Sequence, residues 1–351
     1  DAQEPADSVA YAPTYFPGAS SVAGAQAITV GLGAEAVNID FRVLPVRTAR
    51  ITGRVARSNG LPAAGGAIML RADRAGERRG PGEMSGGLVR GDGTFSIGNV
   101  PPGSYVLHFR DIPNGAPQFA SEPVTLTEGE VREVNLTAAA GGSIAGSVTF
   151  QATQSAIVAG TNQGRVAAQA VENVGPGSGG FARLEPDGTF TIEGIAPGSH
   201  WIRWQSGARG WALKSISVGG RDVTDTPVEV KSGQRIAGVV IVMTDRLSSI
   251  SGTITDSSGT LLTELTVLAF PSDSTLWRPQ SRHIMTARPD QNGTYQIRGL
   301  PPGEYYLTTI DPVEQGEWFE PAFLDQHRAT ARRLTLGDGD VKTQDFRVEL
   351  R

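Results

Sequence analysis

One block of residues occurs three times, and no other feature restricts the possible folds of the chain as much. Gly91-Asp92-Gly93-Thr94-Phe95-Ser96-Ile97 leads into Val100-Pro101-Pro102-Gly103-Ser104-Tyr105-Val106-Leu107. The block returns as Asp187-Gly188-Thr189-Phe190-Thr191-Ile192 with Ile195-Ala196-Pro197-Gly198-Ser199-His200-Trp201-Ile202, and as Asn292-Gly293-Thr294-Tyr295-Gln296-Ile297 with Leu300-Pro301-Pro302-Gly303-Glu304-Tyr305-Tyr306-Leu307. The Pro-Gly pairs begin at residues 102, 197 and 302, spacings of 95 and 105. Units that stack into solenoids or propellers are roughly 20–50 residues long, so each copy here is long enough to bury a core of its own.

Within the block the pattern is strand, turn, strand. Asp-Gly and Asn-Gly tolerate the positive φ angles of a two-residue hairpin turn. Large side chains then alternate as Phe95 and Ile97, Phe190 and Ile192, Tyr295 and Ile297, the period-two signature of a strand buried on one face. After the Pro-Gly corner a second strand places Tyr105, Leu107 and Phe109 on one face, with His200, Ile202, Trp204 and Tyr305, Leu307, Thr309 as the aligned sets. By the same alternation Trp201 falls on the outward face, where Val106 and Tyr306 align with it.

The 45 glycines and 22 prolines, with turn signals every few residues and no long helical periodicity, predict an all-β chain in which helix is scarce. A formal charge of −5 without a basic stripe gives no reason to expect nucleic acid or an anionic membrane as a partner. The cluster Arg74, Arg78, Arg79 sits in a Gly-rich stretch that reads as a solvated loop. Zero cysteines exclude disulfides and Cys-ligated metals. No apolar run approaches the roughly 18 residues of a membrane span, and no signal peptide is visible.

Each unit opens with an alternating strand, at Ala49 to Val55, Ser143 to Val148 and Ser249 to Ile254, and closes with strand, Gly-containing turn and strand, at Val124 to Thr137, Val228 to Val242 and Leu334 to Leu350. The expected units are 48–140, 141–247 and 248–351. Residues 1–47 carry the closing half without the opening half. Ile28 to Glu35 followed by Asp40-Phe41-Arg42-Val43 matches Leu334 to Asp340 followed by Asp345-Phe346-Arg347-Val348, with Asp-Phe-Arg-Val identical. A half-sandwich exposes an apolar face and an unpaired edge. Three outcomes stay open: the complementing half lies outside this sequence, the half-sandwich docks on the rest of its own chain, or another subunit covers it.

Opening Ile-x-Gly-x-Val, inner Asp-Gly-Thr-Phe-x-Ile and Pro-Pro-Gly-x-Tyr-x-Leu together resemble bacterial carboxypeptidase regulatory-like domains, which are similar to transthyretin and to the B-type repeats of Gram-positive surface proteins. The resemblance spans 48–351 and, as a half-domain, 11–47. It implies tandem Greek-key β-sandwiches of the transthyretin-like or Ig-like kind, three complete and one partial, in a secreted or cell-surface bacterial setting. It implies no chemistry, since a sandwich hosts many unrelated tasks.

Searching the residues for chemistry points the same way. His108, His200, His283 and His327 lack the spacing of a zinc site. Gly175 to Gly180 contains a Ser but reads as a flexible loop, not a nucleophile elbow. Lys214, Lys231 and Lys342 give no reason to expect an isopeptide staple. Asp222 and Asp225 do not follow calcium-loop spacing and read as turn caps. No cofactor, metal site or catalytic residue is therefore expected. The outward aromatic Trp201, with Trp277 and Trp318, is expected at a ligand site, at an interface, or in packing beneath a loop.

The resulting expectation is a non-catalytic extracellular structural protein whose beads assemble head to tail into a filament. Tyr15, Phe16, Ile28, Val30, Phe41 and Val43 supply the subunit interface, against a neighbouring chain's last unit. The alternatives are a carbohydrate- or surface-binding adhesin built around Trp201 or Trp277, and an accessory region of a larger secreted enzyme or outer-membrane transporter.

Overall fold

The computed structural model describes residues 9–11, 14–19, 24–30, 35–73, 84–111, 117–153, 164–171, 178–205, 210–279, 281–313 and 316–349. The cluster Arg74, Arg78, Arg79 and Gly175 to Gly177 lie outside the described residues. The chain is all-β, and the described residues include one α-helix, Pro321–Arg328. Three apolar clusters, around Ile51 and Leu107, around Ile144 and Ile202, and around Ile250 and Leu307, each fill the space between two sheets.

The first sandwich shows the plan. The opening strand Ala49–Ala56 is central in a sheet, antiparallel to Thr94–Val100 and parallel to the closing strand Val131–Thr137. The facing sheet runs Met84–Leu88, Ala67–Ala72, Gly103–Asp111, Gln118–Leu126, with the short Ala139–Ala140 added at its edge. The repeated block thus crosses between sheets twice: its Asp-Gly turn delivers the chain into the first sheet, and its Pro-Gly corner returns it to the second. The second sandwich adds Ala212–Val218 to its first sheet, beside the closing strand Arg235–Thr244. The third splits its closing strand into Val341–Thr343 and Phe346–Val348, both parallel to Ser249–Asp256.

The alternation predicts the cores well, since Phe95, Ile97, Phe190, Ile192, Tyr295 and Ile297 are all buried. The turn is different from the two-residue type expected. In each copy only the glycine has positive φ, +84°, +81° and +67° at Gly93, Gly188 and Gly293. Gly93 N donates to Arg90 O and Arg90 N to Thr94 O, a three-residue loop with a left-handed glycine. The preceding acid caps it: Thr94 N and Oγ1 donate to Asp92 Oδ1 at 3.0 and 2.7 Å, and Thr189 does the same to Asp187.

The third sandwich carries a second apolar layer. Thr266–Pro271 is buried along its whole length, Val267 and Ala269 facing the inter-sheet core while Leu268 and Phe270 face the opposite way. There Tyr306, Ile310, Trp277, Ile284 and Leu324 join them. The outward face of this sheet is covered by the helix and by the short turns Ser274–Leu276 and Glu317–Phe319.

Among the described residues, the closing hairpin expected within the first 47 does not appear as paired strands. Val9–Tyr11 pairs with Pro45–Arg47, but neither 25–30 nor 35–44 is strand. The reason lies in the parallel ladder. In all three sandwiches the closing strand is held by its opening strand, and no described residue plays that part for Asp40 to Val43. Ile28, Val30, Phe41 and Val43 are 40 to 69 % exposed in company with Val37, while Phe346, the counterpart of Phe41, is buried.

Candidate functional site at the joints

Side chains with unusual environments concentrate where one sandwich meets the next. Asp225 lies between the strands Arg221–Asp222 and Val228–Val230 of the second sandwich. Arg278, Arg282 and His283 lie between Thr266–Pro271 and Met285–Ala287 of the third. Arg282 Nε donates to both oxygens of Asp225 at 3.0 and 3.1 Å, its Nη2 to Oδ2 at 2.9 Å, and its Nη1 to Leu213 O at 2.8 Å. Arg278 Nη2 donates to Asp225 O at 2.6 Å. A forked guanidinium on a carboxylate is directional as well as strong, so these bonds fix orientation between the two sandwiches.

His283 extends the contact into the third core. Its Nε2 is 3.1 Å from Asp225 Oδ2 and its Nδ1 3.1 Å from Tyr305 Oη, which itself donates to Pro301 O at 2.8 Å. With the Tyr305 proton committed to Pro301, the Tyr305 oxygen is left to accept from the ring. Burial pushes the Asp225 carboxyl up, but the bonds and charges of His283 and Arg282 outweigh it and hold the group well below the usual carboxylate range. Burial pushes the Tyr305 phenol up. Asp225 thus serves as an ion-pair centre between sandwiches, and Asp222 caps its turn by accepting from Thr224 N at 2.8 Å.

Trp201 belongs to the same joint. The Arg203 and Arg278 guanidiniums lie over its ring, 4.6 and 4.3 Å from the centroid, within cation–π range. Of the aromatics singled out in the sequence, Trp201 therefore sits at an interface within the chain. Trp277 is enclosed, its indole nitrogen donating to Pro271 O at 2.8 Å and its ring edge-on to Phe270; it offers no exposed platform. Trp318 packs at the rim of the layer under the helix. Tyr15 and Phe16 are half-buried, Phe16 meeting Phe41 edge-on at 6.2 Å, whereas Ile28, Val30, Phe41 and Val43 face outward.

The first joint is closer and less charged. Gly141 N donates to Pro117 O at 3.0 Å, and Ala140 O accepts from Gly233 N and from Ser232 Oγ, both at 3.0 Å. The connection between these sandwiches is thus bonded on both sides. At both joints the corner of the following sandwich, Ala196-Pro197 or Pro301-Pro302, meets the preceding one. Sequence reasoning missed the partners of Asp225, because its contact with Arg282 spans 57 residues; the one available signal was an outward Trp201 among arginines.

The fold defines a class, β-sandwiches in series with fixed joints. Within it, residues 249–349 match the model of the carboxypeptidase regulatory-like domain. A search of curated proteins found no match to the sequence. Among solved structures the chain is similar to the Bacillus anthracis TIE protein, at 12 % identity, 88 % of this chain, 52 % of that chain and a TM-score of 0.23, so it spans about half of that protein. It is also similar to a streptococcal ancillary pilin, at 11 % identity, 87 % of this chain, all of that chain and a TM-score of 0.25. The minor pilin GBS52 of Streptococcus agalactiae matches at 12 % identity, 56 % of this chain, 95 % of that chain and a TM-score of 0.30. At such scores these likenesses carry no functional argument. No helix of the described residues is long and apolar enough to cross a membrane.

Proposed function

We propose that the chain is a non-catalytic structural protein of the bacterial surface or exterior, an array of sandwiches with stiffened joints that assembles head to tail through residues 11–47. One observation carries the assembly. Asp40-Phe41-Arg42-Val43 repeats Asp345-Phe346-Arg347-Val348, yet the second copy is laddered and its phenylalanine buried, while the first has no ladder among the described residues and its phenylalanine is 42 % exposed.

The occupant proposed is the edge of a neighbour's last sandwich. Phe346–Val348 borders only the opening strand among the described strands, so its outer edge can take an added strand. Such a contact is heterologous and does not close on itself, which builds a fibre. The joint chemistry favours this reading over a sugar platform at Trp201, whose ring already holds two guanidiniums.

Electron microscopy of the purified chain, alone and without residues 1–47, tests the reading. Fibres from the intact chain and folded monomers from the truncated one are expected. Discrete particles from the intact chain, or fibres that survive truncation, would sink the assembly.

A further inference from the structure

A cavity of about 190 Å³ lies at the first joint, between the outward face of one sheet of the first sandwich and the Ala196-Pro197 corner of the second. Register builds its floor. His108 is paired with Met69 on one side and Ser121 on the other, and Arg110 with Phe119. These side chains point away from the core that holds Leu107 and Phe109. Phe119 is nevertheless only 8 % exposed, because the second sandwich roofs it.

Arg110 is the unusual member. Its Nε is buried and has no hydrogen-bond partner. The adjacent carboxylate, Asp111, is already taken by Arg57 Nε at 2.7 Å, and among the described residues no acid lines the cavity. Burial pushes the His108 imidazole below its ordinary range, so at neutral pH Arg110 supplies the charge. A buried donor left unmet is unfavourable, and an arriving acceptor would remove that cost. Met69, Phe119, Ala196 and Pro197 supply apolar wall, with Ser121 and Ser178 as its neutral polar members.

We propose that this cavity binds a small molecule with an apolar body the size of a six-membered ring and one carboxylate, the carboxylate accepting from Arg110 and the body lying between Phe119 and Pro197. The size is apt, since an apolar cavity of about 150 Å³ takes up benzene. Charge-assisted bonds from guanidinium to carboxylate are about twice as strong as neutral ones and geometrically selective. The ligand would touch both sandwiches and so tighten the joint.

Titration of the full chain with benzoate and with benzyl alcohol, followed by calorimetry and ligand-observed NMR, tests this. Benzoate is expected to bind roughly tenfold more tightly than the alcohol. Arg110→Gln should abolish that preference, and Arg132→Gln, an exposed arginine elsewhere, should leave it intact. Ala196→Leu, which fills the cavity from its opposite wall, should weaken both probes and guards against a folding defect in the first variant. Absence of benzoate binding, equal binding of the two probes, or benzoate binding unchanged by either Arg110→Gln or Ala196→Leu would overturn the proposal.

Discussion

At the scale of single residues, the repeated letters turn out to have separate physical reasons. The glycine of Ile-x-Gly-x-Val, at Gly53, Gly146 and Gly252, is where the parallel closing strand comes nearest: a Cβ there would lie 1.7, 2.0 and 2.0 Å from the carbonyl oxygens of Val134, Val239 and Gln344. Any side chain would force the central ladder apart. Gly146→Ala is expected to destabilise the second sandwich by about 3 kcal/mol or more, read as a lower denaturation midpoint. The tyrosine after the Pro-Gly corner ties that corner down, Tyr105 and Tyr305 each donating to the carbonyl of the proline four residues earlier at 2.8 Å. In the second copy His200 takes over, bridging Gly198 O and Ser178 O at 2.9 and 3.2 Å. These positions were legible as a motif. The partner that makes the glycine obligatory was not, because it arrives from the far end of the unit.

At the scale of elements, what matters is which face of a strand is covered and by what. Alternation located the core faces of the corner strands, and it put Trp201 outward. It could not show that the outward face would itself be covered by the next sandwich, since periodicity describes one sheet and says nothing of its neighbour. The strand Thr266–Pro271 did carry a signal, an apolar run without alternation, and such a run marks burial on both faces. Removing the charge at the second joint should separate the sandwiches without emptying either core. Asp225→Asn is expected to cost about 2–4 kcal/mol by leaving the Arg282 guanidinium without its counter-charge, seen as loss of coupled unfolding between the second and third sandwiches. The pH dependence follows from the sign of the shift. A carboxyl held below its ordinary 3.8 stabilises the fold fully above that value and loses its contribution as pH falls toward the depressed one. The stability gap between the intact chain and Asp225→Asn should therefore stay level near neutrality and narrow below about pH 4, measurable by denaturant titration at several acidities.

Across the whole molecule, the three sandwiches treat the same outward sheet face in three ways. The first leaves a cavity over it, the second spreads arginines and Trp201 across it, and the third covers it with a helix from its own sequence. The last arrangement was not readable, because residues 312–331 lack a long helical period and the helix forms by packing Leu324 onto Phe270 and Tyr306. Leu324→Asp should put a charge into that layer and cost at least about 3 kcal/mol. The uncovered face should then make the protein associate as its concentration rises, visible by light scattering. The half-sandwich at residues 9–47 was legible in letters but not in structure: its closing sequence is intact, while the strand it would lie beside is not among the described residues.

The lid on the third sandwich also changes what a neighbour would meet on that side. Over the same sheet the first sandwich offers His108 and Arg110 and the second offers Trp201 beneath two guanidiniums. On the third, Leu324 is turned inward and Asp325, Gln326 and Arg328 are exposed, so an approaching surface finds a small, hydrated, mixed-charge patch in place of a sheet.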